Sequence, residues 1–245
     1  MNDARYVYGV VRADAQVDPE VAGSGLGDGV ELVRTDVLAA VVEGIDPSRP
    51  IGTRKDLVAH SSVLNAMALS GAVVPLRFGT VLTDEDSVAD DLLVPMQQEF
   101  TELLAELDHH AQYTLSARYD LDVVLTEVVR ERPDVAALRE QTSALPEDLG
   151  HPDRIRMGEL VAQAVQAKRD QDGVVVVDAV SPYSEATVVK EGRGMDGLVE
   201  VACLVADESR DAFEEAAETL ARDLGDRVRM RMLGPIAPYD FVPGD

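Results

Sequence analysis

Met230-Arg231-Met232-Leu233-Gly234-Pro235-Ile236-Ala237-Pro238-Tyr239-Asp240-Phe241-Val242 stands near the end of the sequence. Its first part reads as a strand. Val228, Met230 and Met232 alternate with Arg229 and Arg231, giving one apolar face and one cationic face. Gly234-Pro235 is expected to stop the strand, because proline has no N–H for a ladder. Aromatic residues make up only 4% of the chain, yet Tyr239 and Phe241 place two rings here, after two prolines. That predicts a tail packed back onto the protein rather than frayed.

The strand at 228–233 closes a longer pattern. Gln112–Tyr119 alternates Tyr113, Leu115, Ala117 and Tyr119 with Thr114, Ser116 and Arg118. Asp120 caps a helix bearing Leu121, Leu125, Val128 and Val129. Pro133 and residues 144–152 punctuate a helical insertion, about 132–183, whose long helix starts near Asp153. Ser184–Glu191 and Leu198–Val205 are strands around a hairpin loop, Gly192–Gly197. Arg210–Leu224 is a helix with Phe213, Ala216, Ala217, Leu220 and Leu224 on one face. Without the insertion the order is β-α-β-β-α-β, a ferredoxin-like domain. Residues 172–181 read two ways, because Gly173 and the β-branched run Val174–Val177 favour a strand inside a helical stretch.

The first half is a separate α+β unit, β-β-β-α-β-α. Tyr6–Val11 is a strand, Asp14–Gly29 a Gly-rich acidic loop, and Val30–Thr35 with Val37–Glu43 a hairpin. Thr53 and Asp56 form a capping box for a helix with Leu57, Ser61, Leu64 and Ala68 on one face, ending before Gly71. Val73–Leu82 holds one or two short strands. Asp84 and Asp86 are N-cap candidates for a helix to Leu107, interrupted at Pro95. The fold class is thus α+β in two domains, 1–110 and 111–245.

Composition limits the function. The chain has 245 residues and a net charge of −24, which disfavours nucleic acid and anionic membrane as partners. No apolar stretch approaches the roughly 20 residues of a membrane span. No basic segment followed by an apolar run marks a signal peptide, so a cytoplasmic location is expected. The single Cys203 excludes an internal disulfide and, within an apolar strand, reads as a small buried residue.

Few residues of the chain are arranged for chemistry. Gly192-x-Gly194-x-x-Gly197 matches a dinucleotide fingerprint by letters but joins two strands. Gly23-Ser24-Gly25-Leu26-Gly27 lacks the Lys-Ser/Thr ending of a phosphate loop. His109 and His110 point apart, and His60 and His151 stand alone, so no metal set forms. Asp90-Asp91, Glu214-Glu215, and Glu127 with Glu131 read as solvated helix surface. Ser61 and Ser62 have no nucleophile elbow around them. No catalytic residue, cofactor or metal is expected.

Leu-Gly-Pro-Ile-Ala-Pro-Tyr-Asp-Phe at 233–241 resembles the Gly-Pro-x-x-Pro-Tyr-x-Phe ending of the gas vesicle protein GvpL/GvpF family. Tyr6-Val7-Tyr8-Gly9-Val10-Val11 is similar to that family's opening strand, and Val74-Pro75-Leu76-Arg77-Phe78-Gly79-Thr80 to its Pro-x-Arg-Phe-Gly-Thr segment. The resemblance implies a helix through 172–181, with Val174, Val177 and Val180 inward, and the helix is adopted here. It also implies a non-catalytic accessory or minor structural protein of gas vesicle assembly. Its implied partners are the shell protein and other gas vesicle accessory proteins. Arg77, Phe78, Tyr239 and Phe241 are the candidate contact residues, toward a partner or between the domains. Arg77 either pairs with a carboxylate at the strand end or touches another protein. The rival readings are a small-ligand-binding or enzymatic α+β protein, and a regulatory module that oligomerises.

Overall fold

A computed structural model describes residues 4–27, 29–143 and 151–243. The fold is α+β, and the chain divides into two compact units. The first comprises the chain up to Tyr113, together with Leu204–Glu208 and the residues from Leu233 onward. The second comprises Thr114–Cys203 and Ser209–Met232. A single cut at residue 110 does not capture those two returning segments.

The first unit is built on strand β1, Arg5–Arg12. β2 (Val30–Arg34) and β3 (Leu38–Gly44) form the expected antiparallel hairpin, and β3 pairs with β1. Short strands β4 (Val74–Pro75) and β5 (Val81–Leu82) pair with the other side of β1. The register between β1 and β3 shifts between Val7 and Gly9. This bulge moves one residue out of the alternation. Tyr6, Tyr8 and Val11 therefore enter one apolar cluster, and Val7 and Val10 the other. Gly9 is needed at the bulge, since a Cβ there would lie 2.7 Å from the Val74 carbonyl oxygen.

Helices cover both faces. The short helix α1 (Pro19–Ala22) interrupts the loop before β2. Helix α2 (Arg54–Ser70) supplies Val63, Leu64 and Met67 to the Tyr6/Tyr8 cluster. Its start is the predicted capping box: Thr53 Oγ1 accepts from the Asp56 N–H, and the Asp56 carboxylate accepts from the Thr53 N–H. Its inward face differs from the apolar face read in the sequence. Asp56 and His60 are buried while Leu57 is 49% exposed. Polar residues can occupy a helix's inner face when hydrogen-bonded, and these two are, to Thr53 and to Tyr6. Helix α3 (Glu85–Ser87) starts at Asp84, passes into a π-helical stretch (Val88–Leu93) and breaks around Pro95. The chain resumes as α4 (Gln97–Glu106), which buries Phe100 and Leu104 in the Val7/Val10 cluster.

In the second unit's sheet, β6 (His110–Tyr119), β7 (Ala186–Glu191), β8 (Gly197–Ala206) and β9 (Val228–Ile236) are ordered β7-β8-β6-β9. With α5 (Leu121–Glu131) and α8 (Arg210–Leu224) in their places, this is the ferredoxin-like order. Helices α6 (Pro133–Ser143) and α7 (His151–Val180) form the insertion. The punctuation read at 144–150 lies outside the described residues. Cys203 is fully buried, and burial raises its thiol pKa.

Two strand and helix readings are corrected. β9 does not stop at Gly234-Pro235 but runs to Ile236. It is an edge strand, where one side needs no ladder and proline is tolerated. Residues 172–180 are helical, yet Val176 and Val180 point inward rather than Val174 and Val177. The rotation is set by polar partners. The Arg227 guanidinium grips Asp172 with two bonds, 3.0 and 2.5 Å, and the Tyr119 hydroxyl donates to the same carboxylate. One turn earlier, Lys168 pairs with Glu131 at 2.7 Å and Glu127 at 3.3 Å. Lys168, Asp172, Val176 and Val180 are spaced by four, so they form one inward ridge. Glu127 and Glu131 thus have cationic partners instead of lying free on a solvated surface.

Candidate functional site

The tail, Arg77 and Phe78 belong to the first unit, and three of the four candidate residues meet its core. Tyr6 and Tyr8 project from β1 with ring centroids 4.9 Å apart, edge to face. His60 of α2 stacks on Tyr8 and donates to or accepts from the Tyr6 hydroxyl through Nδ1, 2.8 Å away. Phe78 packs edge-on against His60 at 5.4 Å, and Tyr239 lies 6.4 Å from it. Phe241 packs instead against the cluster of Val7 and Val10.

The tail is held by hydrogen bonds as well as by rings. The Ala237 N–H donates to Asn65 Oδ1 at 3.0 Å. Gln112, which is buried, closes a reciprocal pair with Asp240: its Nε2 donates to the carboxylate at 2.8 Å, and its Oε1 accepts from the Asp240 N–H at 3.0 Å. Arg77 behaves differently. It is exposed and makes no ion pair among the described residues.

Sequence reading missed the polar centre beside the rings. Glu43 of β3 is fully buried. The Tyr8 hydroxyl donates to its Oε2 at 2.6 Å, the Leu26 N–H to the same oxygen at 2.5 Å, and the Gly29 N–H to Oε1 at 2.8 Å. The Gly-rich loop therefore wraps an internal carboxyl group. A Cβ at Gly27 would come within 2.6 Å of the Gly44 carbonyl oxygen. The available signal was an acidic residue at the end of an apolar strand, facing a loop too rich in glycine to be mere spacer.

Tyr6, Tyr8, Tyr239 and His60 are not poised for proton transfer near neutrality. Burial pushes the Tyr6 hydroxyl up to about 12. It raises Tyr8 further, helped by the Glu43 carboxyl group, and raises Tyr239 as well. Burial pulls His60 down to about 4, with the Leu76 backbone opposing in part. His60 is thus neutral when folded, whereas an unfolded histidine takes up a proton near pH 6.5. Between those values the unfolded chain binds the extra proton, so stability falls as pH drops from about 6.5 toward 4. Allowing for solvent screening, the loss amounts to about 2 kcal/mol. Denaturant melts at several pH values are expected to show this slope, flattened in His60→Gln. An unchanged slope in that variant would remove His60 from the account.

The other motifs have structural roles. Gly192–Gly197 is the turn between β7 and β8. His109 is an exposed residue at φ 60°, close to Asp108 and Asp207. Among the described residues no three His, Cys, Asp or Glu side chains could hold a metal, and no helix is long and apolar enough to cross a membrane.

With this geometry in hand, the chain can be placed among known proteins. It is 33% identical over 242 residues to gas vesicle protein F of Streptomyces sp. (strain CB03234), with 97% of this chain and 98% of that one covered. Its fold matches the crystal structure of gas vesicle protein GvpF from Anabaena sp. PCC7120, with a TM-score of 0.82, 22% identity and 99% of both chains covered. GvpF from Microcystis aeruginosa matches with a TM-score of 0.77 and 21% identity, covering 97% of this chain and 98% of that one. The family model for gas vesicle synthesis protein GvpL/GvpF spans residues 4–243, and the chain belongs to that family.

Proposed function

We propose that this protein acts without catalysis in gas vesicle assembly, as an accessory or minor structural protein that contacts the vesicle shell protein. Family membership over nearly the whole chain carries this reading. The buried titratable groups support it, since Tyr6, Tyr8, Glu43 and His60 are spent on one another in the core. The working location is the cytoplasm, at the gas vesicle, with other accessory proteins as further partners. Arg77 is the contact residue on this reading, because it is exposed and has no ion pair among the described residues, while Phe78, Tyr239 and Phe241 are partly committed to packing.

A tagged chain recovered from vesicle-producing cells is expected to bring down the shell protein, identified by mass spectrometry. Arg77→Glu is expected to reduce that recovery with no change in melting temperature. Absence of the shell protein from the recovered material, or normal floating vesicles after deletion of the gene, would overturn the proposal.

A further inference from the structure

Helix α7 carries four consecutive valines, Val174–Val177. β-Branched residues are poor helix formers, and packing is what normally offsets that. Here only Val176 of the four is buried, while Val174 is 58% and Val175 48% exposed. The ridge of Lys168, Asp172 and Val176 fixes the helix's rotation, so these valines cannot turn inward. Val175 instead lines a groove of about 550 Å³ between α7 and α8. Ala179, Tyr183 and Leu220 share its apolar floor, and Glu215 and Asp223 supply its charges. No cationic residue lines it, and neither acid is ion-paired among the described residues. The nearby Arg222 is engaged elsewhere, donating to the Thr219 hydroxyl at 2.9 Å and to the Glu218 carbonyl.

We propose that this groove binds an amphipathic helix of a partner protein, with an apolar stripe flanked by Lys or Arg. Three observations select that occupant. The walls are two helices, so no free strand edge is offered for strand addition, whereas a third helix can lay its apolar face between them. Alanines at positions 179, 212 and 216 allow close approach of a helix backbone. The unpaired acids on α8 match cations beside the incoming stripe. The inference stands whichever protein supplies the helix, and so is separate from the shell-protein reading.

The test uses the full chain and a labelled peptide of about five helical turns. The peptide has a Leu/Ala stripe flanked by lysines, and a second version carries glutamates instead. Fluorescence anisotropy is expected to show saturable binding of the lysine peptide and none of the glutamate peptide. The double variant Glu215→Lys/Asp223→Lys should weaken binding by about tenfold or more. Thr219→Trp fills the groove without changing charge and should do the same. Asp90→Lys/Asp91→Lys, an acidic pair in the first unit, should stay within about twofold of wild type. Hydrogen exchange should place the protection on 175–183 and 212–223. Melting curves confirm that each variant is folded.

Equal weakening by both charge-reversed pairs would reduce the effect to the general attraction of a −24 chain, and the proposal would fail. It would also fail if the lysine peptide did not bind the wild-type chain. Self-association relieved by Thr219→Trp would make a second copy the occupant and overturn the assignment to a partner's helix.

Discussion

Truncation after Leu233 is expected to lower the melting temperature by about 10 °C or more. The removed segment contributes the Ala237 bond to Asn65 and the two bonds between Asp240 and Gln112. Each such bond is worth about 1 kcal/mol net, and taking the Asp240 partner from buried Gln112 costs about 1–3 kcal/mol more. Tyr239 and Phe241 leave two apolar clusters at once, losing about 1–2 kcal/mol each for half-buried rings. For a chain of this size, 1 kcal/mol corresponds to about 2–4 °C. Calorimetry of the truncated and full-length proteins decides the matter. An unchanged melting temperature together with lost partner binding would show that the rings serve as a contact surface and not as packing.

The second large effect is expected at Glu43. Glu43→Leu is of similar size but strands the Tyr8 hydroxyl proton and the Gly29 N–H, and leaves the Leu26 N–H only its 3.0 Å bond to the Tyr8 oxygen. Two unsatisfied donors and a weakened third cost on the order of 4 kcal/mol together, about 10 °C in melting temperature. Glu43→Gln should fall between this and wild type, because one acceptor survives while the new NH2 faces a donor. The loop that loses its anchor should become the first site of limited proteolysis. A Glu43→Leu protein that melts with wild type and resists protease as well would refute the anchoring role.

Much of the architecture was legible because it follows from local rules. The strand of Gln112–Tyr119, the caps at Thr53, Asp84 and Asp120, and the helix Arg210–Leu224 depend on alternation, on capping oxygens and on a 3.6-residue stripe. The misread side-chain faces share one cause: a polar residue buried with a partner distant in sequence. His60 turns the inner face of α2 because Tyr6 is 54 residues away. Asp172 turns α7 because Arg227 is 55 residues away. Glu43 goes inside because the loop before it folds over. Periodicity scores such residues as surface, so each error appears as a rotation of an element and not as its absence. The candidate residues were legible mainly through the family motifs. Nothing local to Arg77 foretold its exposure, and nothing in the tail named Gln112 as its anchor.

The proline in β9 bears on how this protein keeps apart from its own copies. An edge strand offers a row of unpaired amides on which a neighbour can add another strand. β9 spoils that template. Pro235 has no amide to offer, and Arg231 places an exposed positive charge along the same strand, beside Arg229, which is paired with Asp120. Two identical edges approaching each other would bring like charges together and find a gap in the hydrogen-bonding row. Colloidal stability through this edge is therefore written into the strand itself, and high concentrations of the protein need not seed sheet-to-sheet fibres from it.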